Sequence, residues 1–138
     1  MAADCSDGIE RPVVDTELLL PTRQLVAVPF LLDTGADMTI VSYDVAQALA
    51  AFLQQSTTTT TGVGGAATAY LLDAALVFTA ADGSRSGFTG PLPAFASPSA
   101  IELSVLGRDI LDKFVLVYSA ADRLLALLRP PHSAAISP

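Results

Sequence analysis

The chain has 138 residues, 51% of them hydrophobic, a net charge of −7 and a single lysine, Lys113. This length fits one domain able to bury about two-thirds of its unfolded surface, and an acidic balance with no basic cluster argues against nucleic acid as a partner. Its apolar runs are broken by Asp, Thr, Gly or Pro well short of the ~20 residues that a membrane span needs, so a soluble chain is expected, apolar enough to suggest an interface with another chain.

Residues 1–12 are polar and without period, and read as a flexible leader. They lack a cationic segment followed by an apolar one, so no secretory signal is expected and cytoplasmic residence is the default. Cys5, the one cysteine, cannot pair within the chain and reads as an exposed bystander thiol. Val13 to Leu20 and Leu25 to Leu32, joined by a turn at Pro21-Thr22-Arg23-Gln24, predict a β-hairpin. It delivers Asp33 into the turn Asp33-Thr34-Gly35, and a second apolar stretch, Ile40-Val41, leaves it. A charge at the buried end of an apolar strand is costly and asks for a reason. The plain alternative is an ordinary turn, since Asp and Gly both favour turns.

Ser42 is a candidate N-cap and Asp44 lies in the first turn that follows, where the helix dipole favours negative charge. Val45, Leu49, Phe52 and Leu53 recur at helical spacing among alanines, predicting an amphipathic helix over 43–54. Ser56 to Thr61 is then a threonine run leading into Gly62-Val63-Gly64-Gly65. This reads either as a low-complexity linker or as a β-hairpin flap whose glycines allow a tight turn; the carboxylate at 33 favours the flap. Gly62, Gly64 and Ala67 also fit a G-x-G-x-x-A fingerprint, but polar threonines precede it and no helix is predicted after it, so a dinucleotide site is set aside.

Tyr70 to Thr79 and Ser84 to Thr89 flank Asp82-Gly83, a strong hairpin signal. Pro91, Pro93 and Pro98 mark an extended connection that cannot be central strand. Leu103 to Leu106 predicts a short buried strand and Gly107 to Lys113 a short helix. Phe114 to Tyr118 and Leu124 to Leu128 predict a last hairpin, turning at Ala121-Asp122. The folded domain is expected over 13–129, with 130–138 a disordered tail.

Three segments in this order, Asp33-Thr34-Gly35-Ala36 after an apolar strand, the glycines at 62–65, and Val105-Leu106-Gly107-Arg108-Asp109, resemble the retropepsin-like aspartic proteases. These are the retroviral proteases and their cellular and bacterial relatives. The likeness runs from about Val13 to about Leu128, and a helix after the active-site loop looks more like the cellular and bacterial members. The resemblance implies an all-β, acid-protease single lobe with a flap hairpin and two short helices, working as a homodimer on a peptide or protein substrate.

One carboxylate cannot both activate water and protonate the substrate, whereas two in close contact share one proton and can do both; that logic is the established one for aspartic-protease dyads. This chain has one Asp-Thr-Gly and about half the length of a two-lobed enzyme. The resemblance therefore implies a dyad of two Asp33 side chains across a two-fold axis, each residue near the axis meeting its twin, and an inactive lone chain.

By the same resemblance Thr34 braces the partner's turn, Gly35 offers its carbonyl to the substrate, and Ala36 leaves room for it. Asp37 holds substrate backbone or pairs with Arg108 in a bidentate bond that ties the loop to the closing helix; the alternative for Arg108 is an exposed helix residue. Leu31, Ile40, Val63, Leu103 and Val105 line apolar subsites, with Gly62 and Gly64 beside Val63 in the flap. The substrate is expected to bind as an added strand, cleaved between bulky apolar residues.

No cofactor or metal is expected. His132 is the lone histidine and lies in the tail, zinc has no ligand cluster, and Asp33-x-Gly-x-Asp37 lacks the further ligands of a calcium loop. The runner-up function is a catalytically silent dimer of the same fold that binds peptides or scaffolds a partner.

Overall fold

The computed structural model describes residues 2–4, 8–62, 65–98 and 103–130. Two strands open the chain, β1 (Ala2–Asp4) and β2 (Glu10–Leu19), and β3 (Leu25–Leu32) returns antiparallel to β2 with Val13 opposite Leu31 and Leu19 opposite Leu25. Helix α1 (Tyr43–Ala48) and one 3₁₀ turn (Ala50–Phe52) follow the Asp33 loop. Then come β4 (Leu53–Gly62), β5 (Gly65–Leu72), β6 (Ala75–Thr79), β7 (Arg85–Phe88), β8 (Leu92–Ala94) and β9 (Ser104–Leu106). Helix α2 (Arg108–Leu111) precedes β10 (Val115–Ser119) and β11 (Leu124–Leu128). The lobe is mostly β with two short helices.

The main sheet has the order β7-β6-β2-β3-β9, with β1 paired to the start of β2. Within it β3 and β9 run parallel, Leu31 beside Val105. A second sheet, β4-β5-β8, and the two-stranded β10-β11 complete the fold. Alternation along β2 and β3 turns Thr16, Leu18, Val28 and Phe30 inward, where they are buried. Leu72, Leu76 and Leu106, fully buried, join them from the other strands, and Ala46, Ile110 and Leu111 cover them from the helices. Each large side chain so enclosed is worth about 1.5–3 kcal/mol of transfer free energy. The buried Thr16 hydroxyl donates to the Val28 carbonyl at 2.8 Å, which removes its desolvation cost.

Several boundaries differ from those the sequence predicts. Strand pairing reaches back through the expected leader, with Ala2 opposite Pro12 and Asp4 opposite Glu10. That pairing uses backbone groups and needs no apolar period. The helix predicted over 43–54 stops at Ala48, because Leu53, Gln54 and Gln55 pair with Leu72, Leu71 and Tyr70; Phe52 and Leu53 still reach the core. The run 70–79 is two strands in two sheets, broken at Asp73-Ala74, where the Asp73 N–H donates to the Phe52 carbonyl at 2.9 Å. Leu92–Ala94 pairs as strand, but at a sheet edge, where proline is tolerated. The expected tail from 131 onward, Cys5 and His132 lie outside the described residues.

Candidate active site

Asp33 follows the last residue of β3. Its N–H donates to the Leu106 carbonyl at 3.1 Å, so the turn is seated on the end of β9. The Ala36 N–H closes the turn on the Asp33 carbonyl at 3.2 Å, and the Gly35 N–H donates to Asp33 Oδ1 at 2.9 Å. A methyl group at position 35 would lie 3.2 Å from that same Oδ1, so glycine keeps the carboxylate uncrowded. Asp33 is half-buried and Thr34 and Gly35 are exposed. The carboxylate expected at a buried strand end thus opens to the surface of the single chain, because the chain turns outward as soon as the sheet ends.

Beyond the turn the chain crosses over the end of β9. Val105 pairs with Leu31 on one side and bridges Ile40 on the other, through Ile40 N–H to Val105 O at 2.9 Å and Val105 N–H to Ile40 O at 2.8 Å. Strand β9 is therefore threaded between the strand that enters the Asp33 loop and the segment that leaves it. Laterally paired residues share a face, so Leu31, Val105 and Ile40 form one apolar row, each half-buried. Leu103 is half-buried just before β9. The outgoing segment continues into the second sheet, where the Val41 N–H donates to the Pro93 carbonyl at 2.8 Å.

Such threading forces two backbones together. A Cβ at Gly107 would sit 2.5 Å from the Met38 carbonyl carbon and oxygen, a contact no side chain can make. The crossing is tied by Thr39, fully buried, and by Asp109. Asp109 Oδ1 accepts from Thr39 N–H at 2.9 Å, Thr39 Oγ1 at 2.7 Å and Ile110 N–H at 2.9 Å, while Thr39 Oγ1 accepts from Gly107 N–H at 3.1 Å. The Arg108 N–H donates to the Ala36 carbonyl at 2.9 Å and the Asp109 N–H to the Asp37 carbonyl at 3.2 Å. Arg108 Nη2 also meets Asp37 Oδ1. This is one contact rather than the bidentate pair expected, between side chains 51% and 79% exposed, and so is worth about 1 kcal/mol at most.

The structure thus brings together Leu31, Asp33, Thr34, Gly35, Ala36, Asp37, Ile40, Val105 and Arg108. Gly62 pairs with Gly65 near the tip of the β4-β5 hairpin, whereas Val63 and Gly64 lie outside the described residues. Strand β5 opens at Gly65 where a dinucleotide site would need a helix, which overturns that reading of the glycines. Sequence reasoning gave no role to Thr39, Gly107 or Asp109. The signal was a hydroxyl between two apolar residues and an acid in the Gly-Arg-Asp triplet, but only the crossing of the chain makes them partners. Among the described residues no group of His, Cys, Asp and Glu could hold a metal ion, and no helix is long and apolar enough to cross a membrane.

A β lobe whose lone Asp-Thr-Gly turn caps a threaded strand defines the class as an aspartic-protease lobe. The model of the retroviral aspartyl protease family matches residues 10–117, and the chain belongs to that family. Its fold is similar to that of a retropepsin-like aspartic protease from Rickettsia conorii, at 21% identity over 91% of this chain and 86% of that one, with a TM-score of 0.53. EIAV protease in complex with an inhibitor is also similar, at 23% identity over 74% of this chain and 86% of that one, with a TM-score of 0.47. No curated protein sequence matches the chain.

Proposed function

We propose that two copies of this chain form an aspartic endopeptidase in which Asp33 and its twin share one proton across a two-fold axis. The observation that carries the reading is the Asp33 carboxylate, held by the Gly35 N–H at 2.9 Å on a turn anchored to β9, in a chain of the retroviral aspartyl protease family. One carboxylate takes a proton from water as the water oxygen bonds to the peptide carbonyl carbon, and the other gives its proton to the carbonyl oxygen. The carboxyl that took the water's proton then gives it to the amine nitrogen as the carbon–nitrogen bond breaks, and the other carboxylate takes a proton back from a hydroxyl of the tetrahedral intermediate, leaving a carboxylic acid, an amine and the singly protonated pair. Thr34 braces the facing turn, Gly35 holds substrate backbone, Ala36 leaves space for it, and Asp37 ties the loop to Arg108. The row of Leu31, Ile40 and Val105, with Leu103 beside it, favours bulky apolar residues on either side of the cut. The β4-β5 hairpin, where Gly62 pairs with Gly65, covers the extended substrate and keeps bulk water out.

A peptide-library digest of the wild type and Asp33→Asn tests this. Wild type should cleave, with a bell-shaped dependence on pH because only the singly protonated pair is active, and the variant should lose about 10²–10⁴-fold or more of the rate. Equal cleavage by both proteins rules the reading out. Binding without cleavage by the wild type, from acid to neutral pH, leaves the runner-up, a silent peptide-binding dimer.

A further inference from the structure

Strands β2 and β6 stay paired over a short stretch only. Glu17 to Leu19 lie opposite Val77 to Ala75, and toward the start of β2 the two strands part. The gap between them is a groove of about 250 Å³, walled by Val14 and Asp15 on one side, by Phe78 and Thr79 on the other, and by Leu125 and Leu127 of β11. Phe78 makes a rigid wall, because Phe88 meets it edge-on at 5.8 Å and Phe114 lies tilted against it at 5.3 Å. A seam of apolar side chains between a sheet and a hairpin needs no charge to hold it together. Yet Asp15 lines this one, the single charged group to do so among the described residues. Its side chain is exposed, and among the described residues no cation lies within ion-pair distance of it. Arg85, opposite Thr79 on the next strand out, forms no such pair.

We propose that this groove binds a small amine, an ammonium group on an aromatic or short aliphatic body. Each part of such a ligand has its counterpart in the walls. The Asp15 carboxylate accepts from the ammonium in a charge-assisted hydrogen bond, and the Thr79 hydroxyl is a second acceptor at the groove. The leucines and the Phe78 ring take the body out of water, and the face of that ring attracts a cation within about 6 Å of it. Asp15 repels an anion, and a neutral molecule leaves its charge unmatched. Size narrows the ligand further. At about 250 Å³ the groove is smaller than the ~300–1,000 Å³ of sites for drug-sized molecules, so it takes one ring or one short chain and no extended peptide. Its walls belong to two sheets, so a bound amine clamps the last hairpin onto the main sheet. Strand β2 stands between β6 and β3, which sets the groove apart from the Asp33 turn, and the proposal does not rest on peptide hydrolysis.

The test is a titration of the ¹⁵N-labelled full chain with phenethylamine, read by amide chemical shifts at fixed pH and ionic strength. Saturable shifts should centre on 14–15, 78–79 and 125–127. Asp15→Asn keeps the size of an exposed side chain and should fold as the wild type does, but bind at least about tenfold more weakly, as expected for a lost hydrogen bond between charged groups. Glu17→Gln removes the same charge from β2 outside the groove and should bind like wild type, which separates a site from the general pull of a chain of net charge −7 on cations. Phenethyl alcohol, of the same shape without the charge, should also bind at least about tenfold more weakly than the amine. Thermal unfolding gives a second readout, since phenethylamine bound to the folded state raises the melting temperature of the wild type and leaves that of Asp15→Asn nearly unmoved. Shifts centred elsewhere, no saturation, equal binding of the alcohol, equal loss in Glu17→Gln or undiminished binding by Asp15→Asn would overturn the proposal.

Discussion

At Gly107 the sequence has no freedom, because its Cα passes so close to Met38 that any Cβ would lie 2.5 Å from the Met38 backbone. Gly107→Ala should push the 33–39 loop off β9. Unfolding is expected to cost several kcal/mol less than in wild type, as steric overpacking of a tight site typically costs about 1–3 kcal/mol or more, and denaturant titration reads it. Asp109 offers a finer test. Its Oδ1 accepts three hydrogen bonds, an amide oxygen could accept the same three, and a methyl group none. Asp109→Asn should therefore keep most of the peptidase rate while Asp109→Ala loses it together with about 1–3 kcal/mol of stability. Equal behaviour of the two variants would show that charge, and not the acceptor oxygen, is what matters. Arg108→Ala removes only an exposed contact and should shift stability by under about 1 kcal/mol. At this scale the sequence singled out Asp33 and Arg108 in their two triplets and Asp37 just after the first. It left Thr39 and Asp109 silent, because their partnership spans 70 residues of chain.

Elements were legible where periodicity and turn chemistry agree. The β2-β3 hairpin and the last hairpin follow apolar runs separated by turn residues, and the turn at Asp82-Gly83 follows an Asp-Gly signal. In the turn between β6 and β7, Ser84 donates both its hydroxyl, at 2.6 Å, and its N–H, at 2.9 Å, to Asp82 Oδ1. These bonds, the hydroxyl's first, hold the Asp82 carboxyl below its ordinary value, although the group is fully exposed. A lowered folded-state pKa means a contribution present above the ordinary carboxylate range and lost as pH falls through the lowered value. The protection factor of the Ser84 amide, its exchange relative to the free-chain rate at the same pH, should accordingly fall under acid in the wild type, whereas Ser84→Ala, which loses the hydroxyl's bond, should lower it already at neutral pH. In the core, Leu18 is fully buried between the main sheet and its cover, and Leu18→Ala should cost about 2–5 kcal/mol in chemical denaturation. The helix boundary at 43–54 was misread because residues at helical spacing also suit a strand that packs the same apolar side chains inward; pairing of β4 with β5 decided between them.

For the molecule as a whole, one lobe supplies one Asp33, and in the proposed shared-proton scheme the reaction is therefore bimolecular in chains. Specific peptidase activity should therefore fall on dilution below the dissociation constant, while the fluorescence and circular dichroism of the folded lobe stay largely unchanged. Activity per chain that is independent of concentration down to full dissociation would contradict the shared-proton scheme.

By itself the sequence determined the class of architecture, the location of the acid-bearing turn and the pairing of its two signature triplets within one family. Hydrophobic alternation, Asp-Gly turns and short triplets are local properties and survive being read along a line. Packing alone puts β9 between the two arms of the Asp33 loop and makes Thr39 and Asp109 the ties of that crossing. Each of these depends on which distant segments are brought into contact, a matter settled by the packing of the whole chain and by no residue's own preference.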